Sequence, residues 1–129
     1  MTKRKILLAI FSFAYTLGFA QTNKQVLFTI KNQSDVKCYR IQSIITSAKG
    51  ILIAAIDERV PNCGDLLYNP NINIVIRKSD DKGKTWSAIK RVIDFPDQEF
   101  ASDVSMVLNE KTKEIYLFYN YMNQKNCEK

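Results

Sequence analysis

The feature that most constrains this chain is a two-residue hydrophobic period that returns in short bursts, separated by polar turns. Residues 25–31 alternate, 41–46 and 51–56 are β-branched runs around Ala48-Lys49-Gly50, and 71–78 set Ile72, Ile74 and Ile76 against polar neighbours. Further strands are predicted over 88–93, 104–109 and 114–121, the last two joined by Glu110-Lys111-Thr112-Lys113. No stretch beyond the first twenty residues carries a helical period. Closely spaced strands with polar connections predict an all-β antiparallel fold: a sandwich, a barrel or a propeller. Tyr116, Phe118, Tyr119 and Tyr121 could form a sugar-stacking platform, but alternating aromatics in a strand read first as packing.

The start of the chain reads differently. Lys3, Arg4 and Lys5 precede a mostly apolar run over 6–19, and Gly18-Phe19-Ala20 has the small-x-small pattern of a cleavage site before Gln21. The expectation is a signal peptide over 1–20 and an exported protein, periplasmic, cell-surface or secreted, with no membrane span after cleavage. The chain carries 19 Lys and Arg against 13 Asp and Glu, and removing three of those cations leaves 16 against 13. A net charge of +3 spread over polar turns gives no footprint for nucleic acid, and none is expected as a partner.

Export permits disulfides, and Cys38, Cys63 and Cys127 are an odd set. Cys38 can pair with Cys63, but the spacing does not decide it. There is no histidine, which excludes a Ser-His-Asp triad, a Cys-His pair and His-ligated zinc. Catalysis would have to run on carboxylates, Tyr, Lys or Arg, and no metal or organic cofactor is expected.

Between two predicted strands lies Ser79-Asp80-Asp81-Lys82-Gly83-Lys84-Thr85-Trp86, which fits S-x-D-x-G-x-T-W at every fixed position. Asp81 can accept N–H groups of the turn, Gly83 can take a positive φ, and Trp86 can plug into a neighbouring layer. A calcium loop fails because no bidentate acid follows at the required place. The segment resembles the Asp-box, the bacterial neuraminidase repeat of β-propellers. The resemblance implies structural roles for Ser79, Asp81, Gly83, Thr85 and Trp86 on an outer hairpin of a blade.

Upstream stand Tyr39-Arg40-Ile41-Gln42, Asp57-Glu58-Arg59 and Cys63-Gly64-Asp65, with Arg59 19 and Asp65 25 positions after Arg40. In order and spacing these resemble the N-terminal part of exo-sialidases: an aromatic-Arg-Ile-Pro motif, an Asp-x-Arg at the next strand's end, and an Asp on the following loop. A guanidinium suits a sialic acid because it can grip a carboxylate through two parallel hydrogen bonds, which Lys cannot reproduce. The resemblance makes Arg40 the carboxylate-binding residue, Asp65 the acid/base and Arg59 a pocket residue near the sugar's 4-hydroxyl. Asp103, in Ser102-Asp103-Val104-Ser105, would face the same side of the sugar. Gln42 and Val104 depart from the family, which has Pro at both places. An acid role near neutral pH predicts an Asp65 pKa raised by burial or a nearby negative charge. Local alternatives make Arg40 a surface strand residue, pair Arg59 with Asp57 or Glu58, and make Asp65 a turn former.

The fold so implied is an incomplete sialidase-type β-propeller of about two four-stranded blades over 21–129, at roughly 40–50 residues a blade. The family has six blades, and its other two arginines, its Tyr nucleophile and the Glu that activates it belong to later ones. The expectation is the amino-terminal piece of a sialidase, with sialylated glycans as partners, inactive alone and exposing an apolar face that invites aggregation. The alternatives are a non-catalytic Asp-box propeller used for glycan or protein binding, and a propeller enzyme of related chemistry, a trans-sialidase or a hydrolase of another glycan.

Overall fold

The computed structural model describes residues 24–31 and 33–126. The signal peptide expected over 1–20 and the third cysteine, Cys127, lie outside the described residues. Four antiparallel strands form the first sheet in chain order: β1 (Cys38–Thr46), β2 (Leu52–Arg59), β3 (Ile72–Ser79) and β4 (Lys90–Ile93). The second sheet pairs β5 (Glu99–Leu108) with β6 (Ile115–Asn123). Among the described residues there is no α-helix, and none long and apolar enough to cross a membrane. Short 3-10 turns stand at Leu66–Tyr68 and Gln124–Asn126.

The strand periods explain the layering. Successive side chains point to opposite faces, so Ala55 of β2 and Ile74 of β3, paired with Ile76 and Asp57 in the ladder, present one face of the first sheet. Ala101 and Val104 of β5 meet that face, and Ile76, Ile93, Phe95, Met106, Leu117 and Tyr119 close around them. Fully burying an isoleucine such as Ile74 contributes about 1.5–3 kcal/mol. The aromatics of β6 divide between its faces. Tyr119 and Tyr121 pack on Phe95, with ring centroids 6.2 and 5.1 Å away, whereas Tyr116, Phe118 and the paired Val107 are exposed.

Two sequence expectations need correction. Residues 25–31 join no ladder: the segment crosses the other face of the first sheet, where Arg77 Nη1 donates to Leu27 O (2.6 Å) and Phe28 packs on Tyr39. The half-buried residues there are the adjacent Leu27 and Phe28, while Val26 and Ile30, which alternate with Phe28, are exposed, and no strand pairs with the segment among the described residues. The second sheet has two strands there, not the four of a full blade.

Two strands are irregular. The β1–β2 register slips between Arg40 and Gln42, leaving Ile41 bulged at φ 57°. The β5–β6 register slips between Ser102 and Ser105, with Asp103 at φ 60°. A bulge bends its strand and re-aims the side chains beside it. Both fall where the sequence places candidate site residues.

Candidate functional site

Because the strands are antiparallel, the start of β1, the end of β2 and the loop over 60–71 gather at one end of the first sheet. The β3–β4 turn holding Ser79 to Trp86 is at the other end, about 25 Å away along eight residues of strand. That turn is built from its own side chains. Asp81 accepts from Ser79 Oγ (2.8 Å), Thr85 N (2.9 Å) and Thr85 Oγ1 (2.6 Å), and Ser79 Oγ accepts from Gly83 N (2.8 Å). Gly83 takes φ 86°, which a side chain would strain. These bonds, first those from Thr85, hold the Asp81 carboxyl down to about 2. Trp86 is half-buried and folds over its own turn, donating to Gly83 O (3.2 Å) and to Gln25 Oε1 (3.1 Å).

At the near end three predicted residues meet. Arg40 Nη1 donates to Asp65 Oδ1 (3.2 Å), Asp65 Oδ2 (3.3 Å) and Cys63 O (3.3 Å). Arg59 Nη1 donates to Asp65 Oδ1 (2.5 Å), Gly64 O (2.5 Å) and Cys63 O (3.3 Å). The two guanidiniums differ in access: the Arg59 side chain is 1% exposed, while those of Arg40 and Asp65 are 44% and 58% exposed. All of Arg40's bonds leave from Nη1, so its Nε–Nη2 edge carries no hydrogen bond among the described residues. That edge, on a side chain 44% exposed, has the two parallel donors a carboxylate needs.

Asp103 does not touch these three. It joins through Asp57, which the sequence offered only as a local partner for Arg59. Residues two apart in a strand share a face, so Asp57 and Arg59 both point toward β5. Asp57 Oδ2 accepts from Ser102 Oγ (2.6 Å) and Asp103 N (3.3 Å) and lies 3.5 Å from Arg59 Nη2. Asp103 Oδ2 in turn accepts from Asn120 Nδ2 (2.8 Å). Asp57 Oδ1 and Arg59 Nε are buried and find no hydrogen-bond partner among the described residues. Glu58, on the opposite face, pairs with Arg91 (2.5 Å) and sits 3.4 Å from the Tyr39 hydroxyl. Burial and then Glu58 push the Tyr39 phenol up to about 12, so it stays protonated.

The charge states run against one expectation. Asp65 is surface-exposed, and the hydrogen bond from Arg59, with the charges of both arginines, holds its carboxyl below the usual range. The raised value that an acid role requires is absent in this state. Burial raises Asp57 instead, against the opposing pull of Ser102, the Asp103 N–H and Arg59. No group of three or more His, Cys, Asp or Glu among the described residues could hold a metal. Two alternatives also find a place: Arg59 does pair with Asp57, and Asp65 does begin the 3-10 turn at Leu66–Tyr68. Beyond Asp57, the sequence reading missed Asn120 and the backbone carbonyl of Cys63. The Asp-x-Arg spacing could have revealed Asp57; nothing local signals the other two.

No family model matches the sequence. Among solved structures the chain is similar to a leech intramolecular trans-sialidase, complexed with 2,7-anhydro-Neu5Ac prepared by soaking with 3'-sialyllactose. The TM-score is 0.68 at 26% identity, over 80% of this chain. The match spans 18% of the leech chain's length. The fold is therefore sialidase-like, two antiparallel sheets matching part of a sialidase-type β-propeller.

Proposed function

We propose that this chain carries the carboxylate-gripping and proton-handling part of an exo-sialidase site, acting on terminal sialic acids of glycoconjugates with retention of configuration. The observation that carries this reading is the free Nε–Nη2 edge of Arg40, half exposed and beside Asp65. A sialic acid carboxylate docks on that edge, and its attachment to the anomeric carbon brings the glycosidic oxygen toward Asp65. Asp103, fixed through Asp57, lines the sugar side, whereas Arg59, 1% exposed, lies behind Asp65 and positions it instead of touching the sugar as the sequence reading had it. The Ser79–Trp86 turn is read as an Asp-box that shapes the blade. The Cys38–Cys63 disulfide supports an exported protein.

The low Asp65 value is compatible with this role because the ligand changes its surroundings. A bound carboxylate neutralises part of the Arg40 charge, adds a negative charge nearby and expels water, and each effect raises the Asp65 pKa. Asp65 can then take a proton, deliver it to the leaving oxygen, and afterwards activate water as the base. Family resemblance assigns the Tyr/Glu nucleophile pair to later blades, so this chain by itself is expected to bind sialosides without hydrolysing them.

The same low value favours a second reading, a non-catalytic propeller in which Asp65 stays ionised and only fastens the two arginines. NMR titration of Asp65 in the full chain with 3'-sialyllactose separates the two. An upward shift of its pKa on binding supports the hydrolytic site, and binding without a shift supports the binder. Identical spectra with 3'-sialyllactose and with lactose would refute both.

A further inference from the structure

We infer that the Cys38–Cys63 disulfide is a positioning clamp for the Arg40–Asp65 pair, which makes capture of a carboxylate by this site depend on the redox state of those two cysteines. The capture half of this inference rests on the function proposed above; the clamp itself rests on geometry alone.

The disulfide joins the start of β1 to the loop over 60–71, with Cα atoms 5.7 Å apart. Cys38 stands two residues before Arg40 and Cys63 two before Asp65, so each functional side chain hangs on a tether of at most about 7 Å of backbone from the crosslink. Cys63 is also part of the site, since its carbonyl accepts from both Arg40 and Arg59. Residues 62–65 hold their shape through their own contacts. Asn62 Oδ1 accepts from Gly64 N (2.6 Å), Asn62 Nδ2 donates to Tyr68 O (3.0 Å), and Asn69 Nδ2 donates to Asn62 O (2.9 Å). Gly64 is packed so closely that a Cβ there would lie 2.8 Å from Asn62 Oδ1 and 3.1 Å from Tyr68 O. Residues 63–65 therefore move as a unit.

What ties that unit to β1 is limited. Its other bonds run within the loop or to Arg59 of β2. Toward β1 the described contacts are those made by Arg40 and the disulfide. Arg59 holds Asp65 to β2, but a ligand that engages Arg40 competes for its charge, so the noncovalent link from the loop to β1 weakens when the site is used. The disulfide then keeps the acid beside the guanidinium. Cys63 is exposed, open to a dithiol reductant. A dithiol thiolate attacks one sulfur and the Cys38–Cys63 bond breaks. The reductant then closes to its own disulfide, and two electrons and two protons end on the cysteines as thiols.

The test uses the full chain with Cys127→Ser, so that one cysteine pair is followed, in three forms: oxidised, reduced with dithiothreitol, and with Cys38→Ser plus Cys63→Ser. Carboxyl NMR follows Asp65 and Asp81 against pH, and chemical-shift titration gives the Kd for N-acetylneuraminic acid. The clamp predicts that Asp65 moves up in both opened forms as it loses the Arg40 contact, while Arg59 still donates to it and keeps it below the ordinary carboxylate range, and that Asp81, in the distant turn, does not move. Sialic acid binding should weaken about tenfold if opening leaves the competent arrangement about a tenth populated. An unchanged Asp65 in folded, opened protein overturns the clamp. So does loss of Asp65 and Asp81 behaviour together, because the disulfide would then support the fold as a whole. An Asp65 shift with no sialic acid binding in the oxidised form supports the clamp and refutes the sugar-acid reading.

Discussion

Asp57 offers the sharpest energetic test of how the site is held. Its single oxygen Oδ2 receives Ser102 Oγ, Asp103 N and the Arg59 guanidinium, while Oδ1 has no hydrogen-bond partner among the described residues. Asp57→Ala removes all three at once. It leaves Arg59, 1% exposed, with only Asp65 as counter-charge among the described residues, and leaves the buried Ser102 hydroxyl with just the long 3.5 Å contact to Asp103 Oδ1. Breaking one side of a buried pair costs about 3–5 kcal/mol, and the remaining Asp65 places this case near 3. Asp57→Asn is a different perturbation. Its amide oxygen can sit where Oδ2 sits and keep the three acceptor contacts. The carboxyl is held above its ordinary value near 3.8, first by burial, so the ionised form is a liability to the native state that the amide does not carry. Asp57→Asn should therefore stay within about 1 kcal/mol of wild type at pH 7.

The pH dependence comes from the same shift. The native state takes up the Asp57 proton at a higher pH than the unfolded chain does. This group's contribution is full below about 3.8 and is lost as pH rises through the raised native value. Asp57→Asn lacks that slope, so its stability relative to wild type should improve from pH 4 to pH 7. Urea unfolding followed by circular dichroism measures both effects, and at a slope near 2 kcal/mol/M the Ala variant should lose about 1.5 M of midpoint. Equal destabilisation by Ala and Asn would refute the reasoning, since the charge itself would then be holding the site.

Other consequences can be checked with the same assay. Ile41 occupies the left-handed region at φ 57°, which costs a β-branched residue about 1–3 kcal/mol. Ile41→Asn should therefore change stability by no more than about 1 kcal/mol despite removing an apolar side chain, because Asn tolerates that region. A loss of about 3 kcal/mol would mean that the bulge is not strained. Asp81, held down to about 2, contributes stability that is present above the unfolded value of 3.8 and is lost as pH falls through 2. Asp81→Ala should lower the urea midpoint at pH 7 and remove that acid-limb loss, while leaving the Asp65 titration unmoved.

The six paired strands were legible because each needs only a local period of two and a polar turn. The Ser79–Trp86 turn was legible because its donors and acceptors lie within eight residues, so the motif and the hydrogen bonds are the same information. The meeting of Arg40, Arg59 and Asp65 came from ordered spacing against a known family, not from periodicity. The bulges at Ile41 and Asp103 were not readable: neither residue favours the conformation strongly enough to announce it, and both arise from pairing with another strand. Residues 25–31 misled because alternation alone decides neither burial nor pairing: Val26 and Ile30 are exposed and the segment joins no ladder. The Asp65 charge state was misread because a single residue's role was assigned without the two guanidiniums that converge on it across 6 and 25 residues.

On the reading proposed above, Arg40 offers its Nε–Nη2 edge to a sugar carboxylate. Chemical-shift titration of the Arg40 side chain with N-acetylneuraminic acid and, separately, with its methyl ester tests this most directly. The acid should shift the Arg40 Nε–H resonance and the Asp65 carboxyl, the ester should do neither, and Arg40→Lys should weaken the response by about tenfold through loss of the paired hydrogen bonds. Equal responses to acid and ester, or a response that survives Arg40→Ala, would contradict it.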